Sequence, residues 1–393
     1  MGLIRDTVAM ESTGVFWIPV YEILEARGFR VYLVNARHIK NVPGRKSDYA
    51  DCQWIQKLHA LGLLTGSFQP DGEMCQLRSY LRHRAQLIQH RAPHILHIQK
   101  ALQQMNLQLH HVLSDVTGAT GMTILRAIVA GERDATTLAQ WRDPQCKASE
   151  ETLVKALTGD WKDEQLFILK QSLELYDFYT AQIAACDAQL KQHYSAMKPR
   201  WDSNSQPPIS LSDKRRTTSK NAPAFDVRAE MVRLIGIDLG AMKGLSDSSI
   251  QTILSEIGTD MTKWPTVKHF ASWLGLAPHN DISGGKILHS HPLRTRNRAG
   301  QAFRQAATAV STSPSAFGAY YRRKRAQGGP QFAQVATAHK MARTVYFLLK
   351  HRVPFVEIGA DAFEKKQRRR ELASLRKKAA RLGFTLTNAQ PAA

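Results

Sequence analysis

Asp6-Thr7-Val8-Ala9-Met10-Glu11-Ser12-Thr13, taken together with Ser47-Asp48-Tyr49-Ala50-Asp51-Cys52-Gln53-Trp54-Ile55-Gln56-Lys57-Leu58, decides how the chain begins to fold. The first stretch is a short apolar run closed by an acid, which predicts a buried strand from Asp6 to Met10. Ser12 or Thr13 is placed to cap the helix that follows, and Gly28 to end it. Phe29 to Val34 predicts a second strand, Asn41 to Gly44 a loop, and Ser47 the opening of a helix that runs to Gly62. Alternating strands and helices mark an α/β region, here residues 1–72.

On the helix from Ser47, a turn of ~100° per residue puts Asp51, Trp54, Ile55, Leu58 and Leu61 on one stripe, with Asp48 at its edge. Asp51 is therefore expected to face the core, where an ionised carboxylate needs a cation, a donor cluster or a metal. A second aspartate three residues away makes Mg²⁺ a fitting partner, because that ion takes hard oxygen ligands. Glu11 closes a strand, the place where α/β sheets present functional groups. The competing reading is that both aspartates merely complement the helix dipole.

Charge points outward from these acids to a partner. The chain has 393 residues, 54 Lys and Arg against 33 Asp and Glu, and a formal net charge of +21. A hydrophobic share of 43% is that of a globular protein with a substantial core, not of a disordered basic chain. Such an excess of positive charge indicates a polyanion, and nucleic acid suits it better than a membrane surface, since no apolar run approaches ~18–20 residues. The N-terminus shows no apolar signal region, which predicts a cytoplasmic protein. Cys52, Cys75, Cys146 and Cys186 are scattered without a Cys-x-x-Cys pair and read as reduced thiols.

From 74 to 113 the apolar residues fall in heptads. Met74, Leu81, Ile88, Ile95, Leu102 and Leu109 are seven apart, with Leu77, Ile98, Met105 and Val112 at companion positions. Arg84 and Arg91 interrupt this seam, and Pro93 is expected to kink it. A second helix over about 165–190 repeats the spacing with Leu169, Tyr176, Ile183 and Leu190. Residues 73–197 are thus expected to form a helical coiled-coil region, which either dimerises or closes as a single-chain hairpin. His83, His90, His94 and His97 lie near helical spacing on it, without a carboxylate or thiol to complete a metal set, and read as surface or RNA-contact residues.

The prolines, serines and lysines of 198–228 predict a linker. Residues 229–358 are expected to form a mostly helical domain, with helices at Ser248 to Ile257, Val267 to Leu274, Arg298 to Val310 and Gln331 to Lys350. Gly244-Leu245-Ser246-Asp247-Ser248 before the first of these suggests half of a helix-hairpin-helix, whose backbone amides contact phosphates; an ordinary helix start is the alternative. Residues 359–393 read as a basic helix or tail, with Leu372, Leu375 and Leu382 at helical spacing.

Ser283 stands in Ile282-Ser283-Gly284-Gly285-Lys286, read as a loop between Pro278 and Pro292. The two glycines let backbone N–H groups approach a phosphate closely, and a serine hydroxyl there can act as a nucleophile or simply form a turn. Lys286, Arg294, Arg296 and Arg298 follow, positioned to neutralise charge on a phosphorus centre. Arg322, Arg323, Lys324 and Arg325 form a further basic run suited to phosphate contact.

Several stretches resemble, in order, an insertion-sequence transposase of the DEDD type with a serine-bearing C-terminal domain, the family guided by a bridge RNA. They are Ala9-Met10-Glu11-Ser12-Thr13-Gly14-Val15-Phe16-Trp17, Asn35-Ala36-Arg37, Gly44-Arg45-Lys46-Ser47-Asp48-Tyr49-Ala50-Asp51, Phe270-Ala271-Ser272-Trp273-Leu274-Gly275-Leu276-Ala277-Pro278 and the Ser283 motif. The resemblance spans roughly residues 6 to 356. It implies a RuvC-like, RNase H-type acidic domain in which Glu11, Asp48 and Asp51 are three of four acids binding Mg²⁺. It also implies that Ser283 attacks a DNA phosphodiester and holds the strand end as a phosphoserine. The partners implied are DNA, a non-coding guide RNA and further copies of the chain, as a dimer or tetramer whose composite sites join acids of one protomer to the serine of another. The place of work implied is the bacterial nucleoid.

One feature departs from that pattern. The family's first acid lies some tens of residues before the glutamate, and here only Asp6 precedes Glu11. Five positions apart on one strand, the two would face opposite sides, so Asp6 is not a substitute. The expectation is a start lacking its first strands, and two alternatives to an active transposase stay open. One is a catalytically silent copy that still binds nucleic acid, the other a Holliday-junction-type nuclease using the same acids with water.

Overall fold

A computed structural model of the chain describes residues 7–35, 48–201, 220–292 and 297–387. The chain divides into two compact units, Met1–Pro70 and Asp71–Ala393.

The first unit contains β1 (Thr7–Glu11), α1 (Trp17–Ala26), β2 (Arg30–Val34) and α2 (Asp48–Ala60). The strands pair in parallel, Thr7 opposite Arg30 and Glu11 opposite Val34, an arrangement that needs a crossover such as α1 between them. Gly28 ends α1 with φ +83° and donates its N–H to the Glu25 carbonyl, as its sequence position foretold. The start of α1 differs from expectation. Ser12 donates its hydroxyl to the Val34 carbonyl, Thr13 donates to the Glu11 carboxylate, and α1 begins after Phe16 with no side-chain cap. The two hydroxyls serve the end of β1 instead of the helix.

Val34 and Ile55 form the buried centre of this unit, with Ala9, Tyr32, Trp54 and Leu64 packed around them. The stripe read on α2 holds for Ile55, while Trp54, Leu58 and Asp51 are half-buried. Leu61 departs from it and is 62% exposed, because α2 ends at Ala60 and Gly62, at φ +67°, turns the chain away.

The second unit opens with α3 (Gly72–Gln104), followed by α4 (Leu109–Val112), α5 (Ala119–Ala130), α6 (Ala135–Gln140), α7 (Glu150–Leu157) and α8 (Asp163–Ala196). Helices α3 and α8 lie antiparallel: His193 meets the Glu73 carbonyl, Arg84 pairs with Asp187, and Arg91 donates to Thr180. Met74, Leu77, Ile98 and Leu102 of the one, and Leu169, Tyr176, Ile183 and Leu190 of the other, are buried, while Leu81, Ile88 and Ile95 of the expected seam are half-buried. The four short helices close the far end over a core that includes Leu125, Ile128, Leu138 and Leu153.

Arg84 and Arg91 do not break the seam; they are part of it, only 7% and 9% exposed. Arg84 donates to both Asp187 carboxylate oxygens and to the Asn221 carbonyl, and Arg91 donates to Thr180 Oγ1 and Asn221 Oδ1. A buried guanidinium without such partners would cost several kcal/mol, so the partners are what make these positions tolerable. Pro93 does not interrupt α3 either. It sits on the exposed side, where water can satisfy the carbonyl left without a donor.

The unit continues through α9 (Val227–Ile235), α10 (Asp247–Ile257), α11 (Val267–Trp273), β3 (Pro278–Ser283), β4 (Lys286–Pro292), α12 (Arg298–Ala309), α13 (Ala316–His351) and α14 (Gly359–Arg381). Phe270, Phe303, Met341, Val345 and Tyr346 pack its core. Helices α10, α11 and α12 follow their predicted bounds to within a residue. The helix expected from Gln331 is the second half of α13, which starts at Ala316 and bends where Gly328 and Gly329 leave helical geometry. Gly244 is required by packing: a Cβ there would lie 2.4 Å from Val310 Cγ1 and 2.6 Å from the Ala306 carbonyl oxygen. The basic C-terminal stretch is the helix α14, anchored through buried Phe363, while Leu372, Leu375 and Leu382 remain exposed. All four cysteines are free thiols.

Candidate functional site

The acids belong to the first unit. His59, near the end of α2, hydrogen-bonds Thr7 at the start of β1 (2.8 Å) and packs its ring on Tyr32 at 5.0 Å. Ile55, one turn earlier, packs with Val34. Helix numbering falls as strand numbering rises, so α2 runs antiparallel to both strands. Asp51, one turn nearer the start of α2 than Ile55, therefore lies toward the Glu11 end of β1. Asp48 opens the same helix; its side chain lies outside what is described.

Glu11 accepts a hydrogen bond from Thr13 Oγ1, which orients its carboxylate. Among the described residues no three His, Cys, Asp or Glu side chains are grouped closely enough to hold a metal ion. Glu11 and Asp51 are carboxylates, oxygen donors of the kind that hard divalent cations take.

Ser283 belongs to the second unit, and here the loop expectation is corrected. Strands β3 and β4 form an antiparallel hairpin, Pro278 opposite Pro292 and Ser283 opposite Lys286. Gly284 and Gly285 are its two-residue turn, with φ +54° and +74°. Positive φ at both central residues is the requirement of a type I′ turn, the tight turn whose twist matches that of paired strands. A register shift between Asp281 and Ile282 disturbs the ladder just before the serine. Ser283 and Lys286 are exposed at the tip, and Ile282 is 63% exposed. The hairpin thus holds a hydroxyl in the open on a defined backbone, where a loop would have left it unanchored.

The basic residues divide. Arg294 and Arg296 lie outside the described residues. Arg298 is exposed in the first turn of α12. Arg322 donates to the carbonyls of Ser311 and Ser313, closing the turn between α12 and α13. Arg323 pairs with Glu371 and ties α14 to α13, while Lys324 donates to Gln327 Oε1 and faces the Tyr320 and Phe332 rings. Arg325 is exposed. This run is partly internal scaffolding, not one free phosphate-binding face.

Lys340 drew no attention in the sequence. Its Nζ lies 4.2 Å from the Tyr320 ring centre and 4.4 Å from that of Phe363. Burial, with Arg370 and Lys366 nearby, pushes its amine down to about 8. The His quartet on α3 is mostly exposed, although His94 stacks on Tyr179 at 5.5 Å and is pushed down by burial and by His97. No helix among the described residues is long and apolar enough to cross a membrane.

Comparison with known families closes on one class. Residues 5–107 match the transposase model for DEDD transposases of the IS110 type, and residues 238–322 match that of the transposase IS116/IS110/IS902 family. One match contains Glu11, Asp48 and Asp51, the other Ser283. The chain is therefore a DNA-processing protein of the transposase class, with DNA as its substrate. More narrowly, both matched stretches are similar to IS110-type transposases, and together they support a transposase of that type. No curated protein matches the chain.

Proposed function

We propose that the protein cuts and rejoins the DNA strands of an insertion sequence, with Ser283 as nucleophile and Glu11, Asp48 and Asp51 as holders of Mg²⁺. The observation that carries this reading is Ser283 itself, exposed at the tip of a glycine-turned hairpin inside a transposase family match. DEDD-type transposase domains generally use divalent metals. Bound by the three acids, the cation would supply Lewis-acid stabilisation of charge on the phosphate oxygens.

The chain's own steps are these. Ser283 Oγ forms a bond to phosphorus as the bond from phosphorus to a deoxyribose oxygen breaks. The serine proton passes to solvent, and the departing oxygen takes one up. The phosphoserine conserves the phosphodiester's energy, so a hydroxyl of a second strand can displace Oγ and rejoin the DNA. Lys286 and Arg298, with Arg294 and Arg296, would offset charge on the phosphorus centre. The amides of Gly284 and Gly285 would approach a phosphate oxygen.

The remaining assignments rest on the sequence pattern together with the resemblance. Residues 1–72 would be a RuvC-like domain of the RNase H type, 73–197 a helical region for self-association, 198–228 a linker, 229–358 the serine-bearing domain and 359–393 a basic tail. The Gly244 turn and α10 would act as half of a helix-hairpin-helix on the DNA backbone. A guide RNA would select the target, and a dimer or tetramer would bring acids and serine to one phosphodiester.

Incubation of the full chain with its element's ends, its guide RNA and Mg²⁺ should trap a covalent protein–DNA adduct, located at Ser283 by peptide mass spectrometry. Ser283→Ala should abolish it. An adduct that persists in that variant removes the serine from the mechanism.

A further inference from the structure

A polar cleft of about 310 Å³ lies within the second unit, and of its lining residues the serine chemistry draws only on Arg298. Helix α3 supplies Arg82 and Gln89, the first turn of α10 supplies Ser248, and α12 supplies Arg298, Gln301 and Gln305. No carboxylate is among the lining residues. Arg82 is braced, donating to Glu256 Oε1 on α10 at 2.7 Å, and the opposite face of α12 is locked by buried Ala299, Phe303 and Ala306. The walls are therefore three helices fixed by packing.

Its chemistry is unlike that of an ordinary solvated face, where lysine and glutamate dominate. Amides and a hydroxyl each offer a donor and an acceptor, which is what the edge of a nucleobase presents, and guanidinium groups suit phosphate. The volume sits at the small end of ligand pockets, ~300–1,000 Å³, enough for one nucleotide and far too little for a duplex. Arg298 also begins the helix into which the Ser283 hairpin leads.

We propose that this cleft receives one unpaired nucleotide of a DNA or RNA strand, its base against Gln89, Gln301 and Gln305 and its phosphate against Arg298 and Arg82. The proposal rests on the reading of the chain as a strand-processing enzyme and says where a strand is held once it is unpaired.

Fluorescence anisotropy of the full chain tests it, with labelled single-stranded DNA, single-stranded RNA of the same sequence and duplex DNA at one fixed salt concentration. Gln89 and Gln305 are exposed, so the Gln89→Glu/Gln305→Glu variant should keep its melting temperature. It should lose about tenfold in affinity for at least one single-stranded probe while duplex affinity stays within about twofold. Loss confined to the DNA probe or to the RNA probe identifies the source of the nucleotide, and either supports the cleft. The Gln89→Ala/Gln305→Ala variant adds no charge and should keep part of the loss. Equal losses on single strands and duplex, or no loss on either single strand, overturn the proposal. The Ser283 adduct is measured separately on the unaltered chain, so the two readings fail independently.

Discussion

The two units treat their charged residues in opposite ways. In Asp71–Ala393, Arg84, Arg91 and Asp187 are buried in the seam between α3 and α8, and each has its partners inside the protein. In Met1–Pro70 the acids stand beside a thin core: Val34 and Ile55 form its buried centre, and α1 buries no residue at all. Charge in the seam between α3 and α8 is structural and coupled to packing. Charge at the end of β1 is only loosely coupled to it, as the proposed cation-binding role requires.

The sharpest way to break this contrast is Asp187→Ala. It strands the Arg84 guanidinium in a seam that excludes water and frees the Ala224 N–H, so it should cost ~3–5 kcal/mol of stability. Replacing both partners, as Arg84→Met with Asp187→Leu, should recover most of that loss. Denaturant unfolding of the three proteins checks it. A double variant as unstable as the single one would mean that the pair holds more than itself, for instance the 220–224 segment through Asn221.

A smaller effect is expected at Lys340. Its folded amine titrates at about 8 against an ordinary 10.5, because burial and nearby Arg370 and Lys366 disfavour the charge. Between those values the unfolded chain holds the proton more tightly than the folded one, so this residue makes stability rise as pH rises through that window. Lys340→Met should remove that contribution. Thermal melting of both proteins from pH 8 upward reads the difference, and parallel curves would acquit the amine.

Much of the second unit was legible because periodicity is a local signal. Leu169, Tyr176, Ile183 and Leu190 announce their helix without knowledge of its neighbour. Arg84 and Arg91 were misjudged for the complementary reason: Asp187, Thr180 and Asn221, which make them acceptable, lie about ninety to one hundred and forty residues away in sequence. The hairpin carried a signal that was passed over. A two-residue Gly-Gly between apolar flanks is a turn signature, but Pro278 and Pro292 suggested a loop. Both prolines sit at the outer ends of their strands, where a missing N–H costs little. Glu11 and the Asp48–Asp51 spacing mark candidate acids in the sequence, but among the described residues no three metal-binding side chains are grouped. The cleft could not be read in the sequence, since it exists only once α3, α10 and α12 are packed.

The smallest expected change in stability falls at Asp51, and it tests the contrast most directly. Asp51 is half-buried on α2, toward the Glu11 end of β1 by the direction of the helix. Asn keeps its shape and removes its charge, so if the carboxylate serves a cation, Asp51→Asn should move stability by no more than ~0.5 kcal/mol. Strand cleavage dependent on Mg²⁺ should nevertheless be lost. Melting temperature and adduct yield, measured on the same preparation, separate the two roles. A large fall in melting temperature would place Asp51 with Asp187 as a structural acid. The difference between the units would then be one of partners and not of purpose.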